Sequence, residues 1–441
     1  MRFVVITFIC LLVVSLLPTN AQPLSLPQCL KRVNSNSFTV RKTNSAIEQR
    51  VWEVNQAKDA FIPSLSLSNQ HNISTGRVLD PTTYQFVTNR TVYDMSATIG
   101  GSLTLFDGME RWHQVKKAEI SLRNAELEVE RVRNNLELEV TRLFLEILMD
   151  KEAIEVCKNK VDLLEKHEEL IQRKVDLDAA TTGDLLNIQA DVARANVERA
   201  SALNELNLDK VALCELLVIE DWEHFDVSGE DITDVVPQLW NADDLAASAR
   251  NLPQIRQQEM AVKQAQRDVQ IASAAYFPTL RINAGYGSTF SNARVKTTGE
   301  DYMFQDQFRD NMSSYVTATV SIPILSTIKV SHAVKARKAA VQSSVLEYEH
   351  TLLSLDKEVK QAIIQTDNAF EKYQLLAIEV EKAAEALRQT EVRFEAGAAT
   401  YYDYQIAVGN LFQARAERLR ARFEYIYRTK IMDYYLGKPL Y

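Results

Sequence analysis

Glycine and proline are scarce, at 12 and 10 in 441 residues, where ordinary usage would give roughly 30 and 20. So few breakers imply long uninterrupted elements, and that disfavours a compact enzyme with many loops. Cysteine stands only at positions 10, 29, 157 and 214. Cys10 falls in the leader described below, which leaves an odd number. A disulfide framework is therefore not expected, and the spacing suits no zinc site. Positive charge is in deficit, with 50 Lys+Arg against 59 Asp+Glu and a net charge of −9. Non-specific nucleic-acid binding needs the opposite surplus. The six histidines are scattered, no Ser/His/Asp set can be assembled, and no glycine-rich phosphate loop exists. No cofactor and no catalytic function are expected. Beyond the N-terminus no apolar run is long enough for a transmembrane helix.

What the chain does have begins with a leader. Arg2 precedes the apolar run Phe3 to Leu17, and Thr19-Asn20-Ala21 puts small residues where a signal peptidase reads. Residues 1–21 are expected to be a cleaved export signal. Neither Cys10 nor Cys29 has a lipoprotein context, so no lipid anchor is expected.

The chain also repeats itself. Ala60-Phe61-Ile62-Pro63-Ser64-Leu65 resembles Ala275-Tyr276-Phe277-Pro278-Thr279-Leu280 at an offset of 215. Ser102 to Phe106 resembles Ser321 to Leu325, and Val115-Lys116, Val140, Thr181 and Asp184 match Val334-Lys335, Val359, Thr400 and Asp403, all at 219. A constant offset over so long a stretch means no insertions, as one long rigid element requires. The change from 215 to 219 is where loops are expected.

Between Gly108 and Pro237 there is no proline and few glycines. Val115, Ala118, Leu122, Ala125, Val129, Val132 and Leu136 recur at alternating steps of three and four. That is a heptad seam, and it continues through Val140, Leu143, Ile147, Ile154, Val161, Leu164, Ile171 and Val175. The second copy repeats it from Phe370 to Phe394. Long helices are predicted at about 109–177 and 328–396, each roughly 100 Å long. Shorter ones are predicted at about 25–60, 184–219, 241–276 and 398–430. Thr181-Thr182-Gly183-Asp184 and Ala396 to Thr400 read as the turns between long and short helices, with Gly397 ending one and Thr400 or Asp403 opening the next.

Between short and long helices the period falls to two. Met95, Ala97, Ile99, Gly101, Leu103 and Leu105 alternate with small polar residues, as do Val316, Ala318, Val320, Ile322 and Ile324. Leu280, Ile282, Ala284 and Tyr286 follow the same rule, and the segment after Pro63 follows it more weakly. Segments of about ten residues with one apolar and one polar face suit strands of a transmembrane barrel. They equally suit a soluble sandwich, and the pattern alone leaves both open. Export without an apolar helix favours the barrel, because only helices and closed barrels satisfy the backbone in lipid. Four strands cannot close a barrel that needs about eight or more, so chains must combine, and twelve strands from three chains is the natural count.

Over roughly residues 25–436 the chain resembles the bacterial outer-membrane efflux proteins, the TolC-type channels. The resemblance rests on the Phe-Ile-Pro-Ser-Leu and Tyr-Phe-Pro-Thr-Leu segments, on Leu-Phe-Asp-Gly at 105–108, and on Arg393-Phe394-Glu395-Ala396-Gly397 followed by Asp403. It implies a mixed, mainly α fold: long antiparallel coiled-coil helices in a trimeric α-barrel, continued by a 12-strand β-barrel with four strands per protomer. It implies a passive exit channel of a tripartite efflux or type I secretion system in the outer membrane. The implied partners are two sister copies, a periplasmic adaptor, an inner-membrane pump and outer-membrane lipid. Asp184 and Asp403 match the aspartates that ring the pore, and Thr181, Gly183, Gly397 and Thr400 lie in the tips that would meet the adaptor. Asp178, Ala399 and Ile406 depart from the family pattern. Both aspartates also suit helix caps. The competing reading is an exported soluble coiled-coil adaptor or scaffold. The expected layout is a first repeat at 22–219, an inter-repeat segment at 220–240, a second repeat at 241–430 and a tail at 431–441.

Overall fold

The structure, a computed structural model, describes residues 23–79, 84–229, 235–296 and 300–440. The expected export signal lies outside the described residues. In chain order the elements are α1 (Leu26–Asn36), α2 (Phe38–Asp59), β1 (Ser64–Leu79), β2 (Phe86–Phe106), α3 (Glu110–Asp176), α4 (Thr182–Leu217) and α5 (Ala242–Ala249). They continue with α6 (Pro253–Ala274), β3 (Thr279–Ser291), α7 (Phe304–Asp310), β4 (Ser313–Ser321), α8 (Thr327–Glu395) and α9 (Tyr401–Tyr435). The two long helices therefore fall where the breaker-free heptad stretches place them. Two of the shorter predicted helices are each broken in two. Ser37 interrupts the first, and the second restarts at Pro253, which fits a first helical turn because it needs no N–H there.

The chain divides into two compact units, each drawing on both sequence copies: residues 1–44, 127–256 and 350–441, and residues 45–126 and 257–349.

The first unit is helical. Leu26, Cys29, Leu30 and Val33 of α1 pack with Val140, Leu143, Phe144 and Ile147 of α3 and with Leu213, Cys214 and Leu217 of α4. Phe225 and Val227 close this core, and Val227 pairs with Leu24 in a short parallel bridge. Burial pushes the Cys29 thiol up to about 12 and Cys214 up to about 11. Both stay protonated and act as small apolar side chains. A second cluster joins seam residues Val161, Leu164 and Ile171 to Ile188 and Ala195 of α4, Leu387 of α8, and Tyr404, Val408, Leu411 and Phe412 of α9.

The second unit carries one antiparallel sheet in the order β1-β2-β3-β4. The register sorts its side chains. Leu65, Gly101, Ala284 and Val316 form one row across the strands, while Ser64, Ser102, Asn283 and Thr317 form the next. Opposed residues share a face, so the apolar sets of all four strands lie on the same side. Leu65 is 78% exposed and Val316 77% exposed. A sandwich would bury these against a second sheet, and the described residues contain only this one. β1 and β2 run to 16 and 21 residues, longer than the alternating segments alone suggest. Their far ends are held by backbone pairing, which needs no apolar face once the apolar layer is passed. α7 is also absent from the sequence reading, in a connection expected to be loop. Gln307, fully buried, donates to Ser291 O and Tyr302 O and accepts from Ser291 N, and so ties the helix to β3.

Candidate functional site

The two turns that join long to short helices lie in the helical unit and are built alike. α3 ends with Asp178 in a left-handed conformation at φ 55°, and α8 ends with Gly397 at φ 72°. In each, two backbone bonds close the end: Ala179 N to Lys174 O and Asp178 N to Val175 O, then Ala398 N to Arg393 O and Gly397 N to Phe394 O. This double bond satisfies the last helix carbonyls. Asp178 therefore takes the conformation that glycine takes in the second copy, which short polar side chains tolerate.

Each next helix opens with a reciprocal cap. Asp184 N donates to Thr181 Oγ1 at 3.1 Å, while Asp184 Oδ2 accepts from Thr181 N at 3.1 Å and from its hydroxyl at 2.7 Å. In the second copy the same bonds join Asp403 and Thr400 at 3.2, 2.9 and 2.7 Å. The arrangement satisfies free N–H groups at both helix starts, and the carboxylates complement the helix dipoles. The Thr400 backbone bond, then its hydroxyl, hold the Asp403 carboxyl below the usual carboxylate range. Its stabilising effect is thus present at neutral pH and is lost as pH falls through the lowered folded value. The structure places Asp184 and Asp403 in separate caps. Gly183 has no positive φ and has room for a side chain. Leu177, Leu186, Tyr402 and Ile406 stand exposed around these turns.

Behind the turns lies a polar network that the sequence reading missed. Asp191 of α4, 7% exposed, accepts from the Tyr401 hydroxyl at 2.7 Å, from Gln405 Nε2 at 2.9 Å and from Arg194 Nη1 at 2.8 Å. This ties α4 to α9 through a desolvated carboxylate. Beside it, buried His167 of α3 lies 3.2 Å from Glu391 of α8 and faces the Tyr404 ring with centroids 4.1 Å apart. Burial lowers the His167 pKa, so the ring is neutral and Nε2–H donates to Glu391. Phe394 stacks on the other aromatic partner, with its centroid 5.6 Å from that of Tyr404. The only sequence sign was the spacing of Tyr401 and Tyr404. Asp191 and His167 sit among charged helix residues and look solvated until the neighbouring helix is in place.

Farther along α3, Asp150 is 6% exposed and its Oδ2 has no hydrogen-bond partner among the described residues. Burial, then the like charges of Asp209 and Glu205 on α4 and Glu146 on α3, push its carboxyl up to about 7. A raised acid costs nothing while both states are protonated. The cost grows as pH rises from the unfolded value to about 7 and stays constant above it. Asp150→Asn is therefore expected to stabilise the protein by about 1–3 kcal/mol at pH 8 and to change little near pH 4. Denaturant midpoints at the two pH values check this.

The sequence profile for the family "Outer membrane efflux protein" matches residues 29–217 and 246–428. The chain is similar to outer membrane protein TolC of Vibrio cholerae serotype O1, at 21% identity over 386 residues that cover 85% of this chain and 81% of that one. Among solved structures it superposes on CusC with a TM-score of 0.79, at 14% identity over 94% of this chain and 92% of that one. It superposes on VceC of Vibrio cholerae with a TM-score of 0.75, at 16% identity over 94% and 97%. The profile covers most of the chain, in both sequence copies. This chain belongs to the outer membrane efflux protein family, as an exit channel of efflux systems that sits in the outer membrane and extends into the periplasm.

Proposed function

We propose that the chain works as a homotrimer, with a periplasmic adaptor and an inner-membrane pump, as the passive duct of a tripartite efflux or type I secretion system. One observation carries this reading. Among the described residues no strand pairs with the outer edges of β1 and β4, and the apolar face of the sheet is exposed. Free edges and an apolar face are costly in water. Pairing β1 of one copy with β4 of the next removes the edges, and three copies supply twelve strands, within the range of closed membrane barrels. The same twofold copying supports the layout of two structural repeats, 22–219 and 241–430, joined by 220–240. A soluble adaptor would leave this sheet without a purpose. Purification in detergent with mass measurement, followed by planar-bilayer recording, tests trimer and pore together. A monodisperse, water-soluble monomer without conductance would defeat the proposal.

The turn residues Thr181, Gly183, Gly397 and Thr400 are proposed to meet the adaptor. The exposed Leu177, Leu186 and Tyr402 beside them support a docking role. Asp184 and Asp403 are proposed to contribute carboxylate rings at the periplasmic entrance, each with a capping oxygen and a second oxygen for the pore. Asp403→Asn is expected to reduce cation preference in single-channel recordings at low salt. Unchanged reversal potentials would restrict Asp403 to its capping role.

A further inference from the structure

The junction between β4 and α8 carries a one-signed surface. From Asn311 to Leu346 there is no Asp or Glu, yet Lys329, Lys335, Arg337 and Lys338 add four positive charges, in a chain with net charge −9. All four are exposed. Among the described residues, none of them forms an ion pair or a hydrogen bond. The matching segment of the first copy differs. There Lys116 pairs with Glu119 at 2.8 Å, and Lys117 pairs with Asp268 at 2.6 Å. The first copy neutralises its cations, and the second leaves them open.

Directly before these cations come Ile322, Ile324, Leu325 and Ile328, 62–81% exposed. The order along the chain is therefore strand, an apolar connection at 322–325, Ile328 in the first helical turn, then the basic helix. β4 has nine residues, enough for a tilted strand to cross the hydrocarbon layer. Ile328, His332 and Lys335 recur at helical spacing and share one face of α8, with Lys329 beside them. From Lys329 to Lys338 the helix rises by only about 14 Å. Lysine stems can reach back toward an apolar layer, and charges act over a Debye length of about 8 Å at physiological salt.

We propose that this junction binds anionic phospholipid headgroups at the periplasmic face of the outer membrane. The exposed isoleucines and Leu325 sit against acyl chains, and Lys329, Lys335, Arg337 and Lys338 hold the phosphates. The inference rests on the outer-membrane placement and goes beyond conduction. Charge complementarity selects the occupant: the apolar row followed by the cations matches acyl chains followed by headgroup phosphates, in that order.

The test uses the full-length protein in detergent micelles doped equally with phosphatidylglycerol and phosphatidylcholine, with bound lipid read by native mass spectrometry. Each cation near a charged surface contributes roughly fivefold in affinity. The wild type is expected to favour phosphatidylglycerol by roughly tenfold or more. The variant K329Q/K335Q/R337Q/K338Q is expected to lose that preference, and K329R/K335R/R337K/K338R to keep it. A glutamine variant that keeps the wild-type preference overturns the proposal. So does stripping of the preference by excess glycerol 3-phosphate, which marks a free-phosphate site. Altered ion selectivity in neutral bilayers without a lipid effect places the cations in the lumen and also overturns it, as does loss of assembly mass, which places them between copies. If the fourfold variant does not accumulate, K329Q and K335Q singly are each expected to lower the preference roughly fivefold, and no change in either defeats the idea. Failure of the wild type to fractionate with outer membranes would instead defeat the channel reading.

Discussion

Valine at position 108 is expected to abolish recovery of folded protein from the outer membrane. Gly108 links β2 to α3 with φ 71°, a conformation that costs a side-chain-bearing residue about 1–2 kcal/mol. The larger effect is steric. A Cβ there would lie 2.4 Å from Ala274 O and 2.9 Å from Phe277 Cβ, so the end of α6 must move. The surroundings resist that movement. Arg111 pairs with Asp107 at 2.5 Å and donates to Thr104 O at 2.6 Å and to Ala60 O at 2.9 Å. These bonds join the ends of α2 and β2 to the start of α3. Displacing α6 disturbs the start of β3, whose pairing with β2 joins the two sequence copies. Strain and clash together exceed about 4 kcal/mol, a large part of a typical folding stability. Immunoblots of outer-membrane fractions read the outcome, and Gly108→Val at wild-type abundance would refute the argument. Gly397→Asn serves as the contrast. Asp178 already adopts the same left-handed conformation in the first copy, and nothing lies near a Cβ at 397. That variant should accumulate normally.

Asp191→Ala is expected to destabilise the helical unit by about 2–4 kcal/mol, because it strips the acceptor from the buried Tyr401 hydroxyl and removes the tie from α4 to Gln405 of α9. Tyr401 is 8% exposed, and its hydroxyl donates to Asp191. Burial, then the bond to Asp191, push the Tyr401 phenol above its usual range, so it remains a donor at every working pH. Tyr401→Phe removes one of three donors and should cost about 1–2 kcal/mol. If the pair is coupled, the double variant costs less than the sum of the single ones, and a double-mutant cycle in denaturant measures the difference. Additive losses would show that Asp191 acts mainly through Gln405 and Arg194. The cap at Thr400 and Asp403 lies at the start of the same helix, so loosening α9 here should also loosen the turn before it.

The helices were legible because their signals are local. A stretch without proline or glycine from Met109 to Thr182, with apolar residues at alternating three- and four-residue steps, has few conformations other than a long helix. The same holds for the turns, where Thr-x-x-Asp announces a reciprocal cap in both copies. The breaks at Ser37 and before Pro253 were harder to place. Proline marks one of them openly, whereas Ser37 is a buried cap with no proline or glycine beside it.

The caps could be read from sequence, but the network behind them could not. Asp191 and Tyr401 are 210 residues apart, and Asp191 has the same local surroundings as many solvated aspartates on these helices. His167 looked equally ordinary, and Asp150 acquires its raised pKa only from carboxylates on a facing helix. Burial is a property of the neighbour, so no window of sequence around such a residue reports it.

The sequence by itself determined the element types, the twofold copying and the period-two faces, because each follows from propensity and periodicity within a few turns of chain. Only the tertiary structure decided that the four strands form one sheet, with β2 paired to β3 across the two copies and the apolar rows left uncovered. It also decided which charges are desolvated and which cations stay open. The physical reason is the same in each case: pairing, desolvation and charge compensation depend on groups hundreds of residues away, and folding alone brings them within bonding distance.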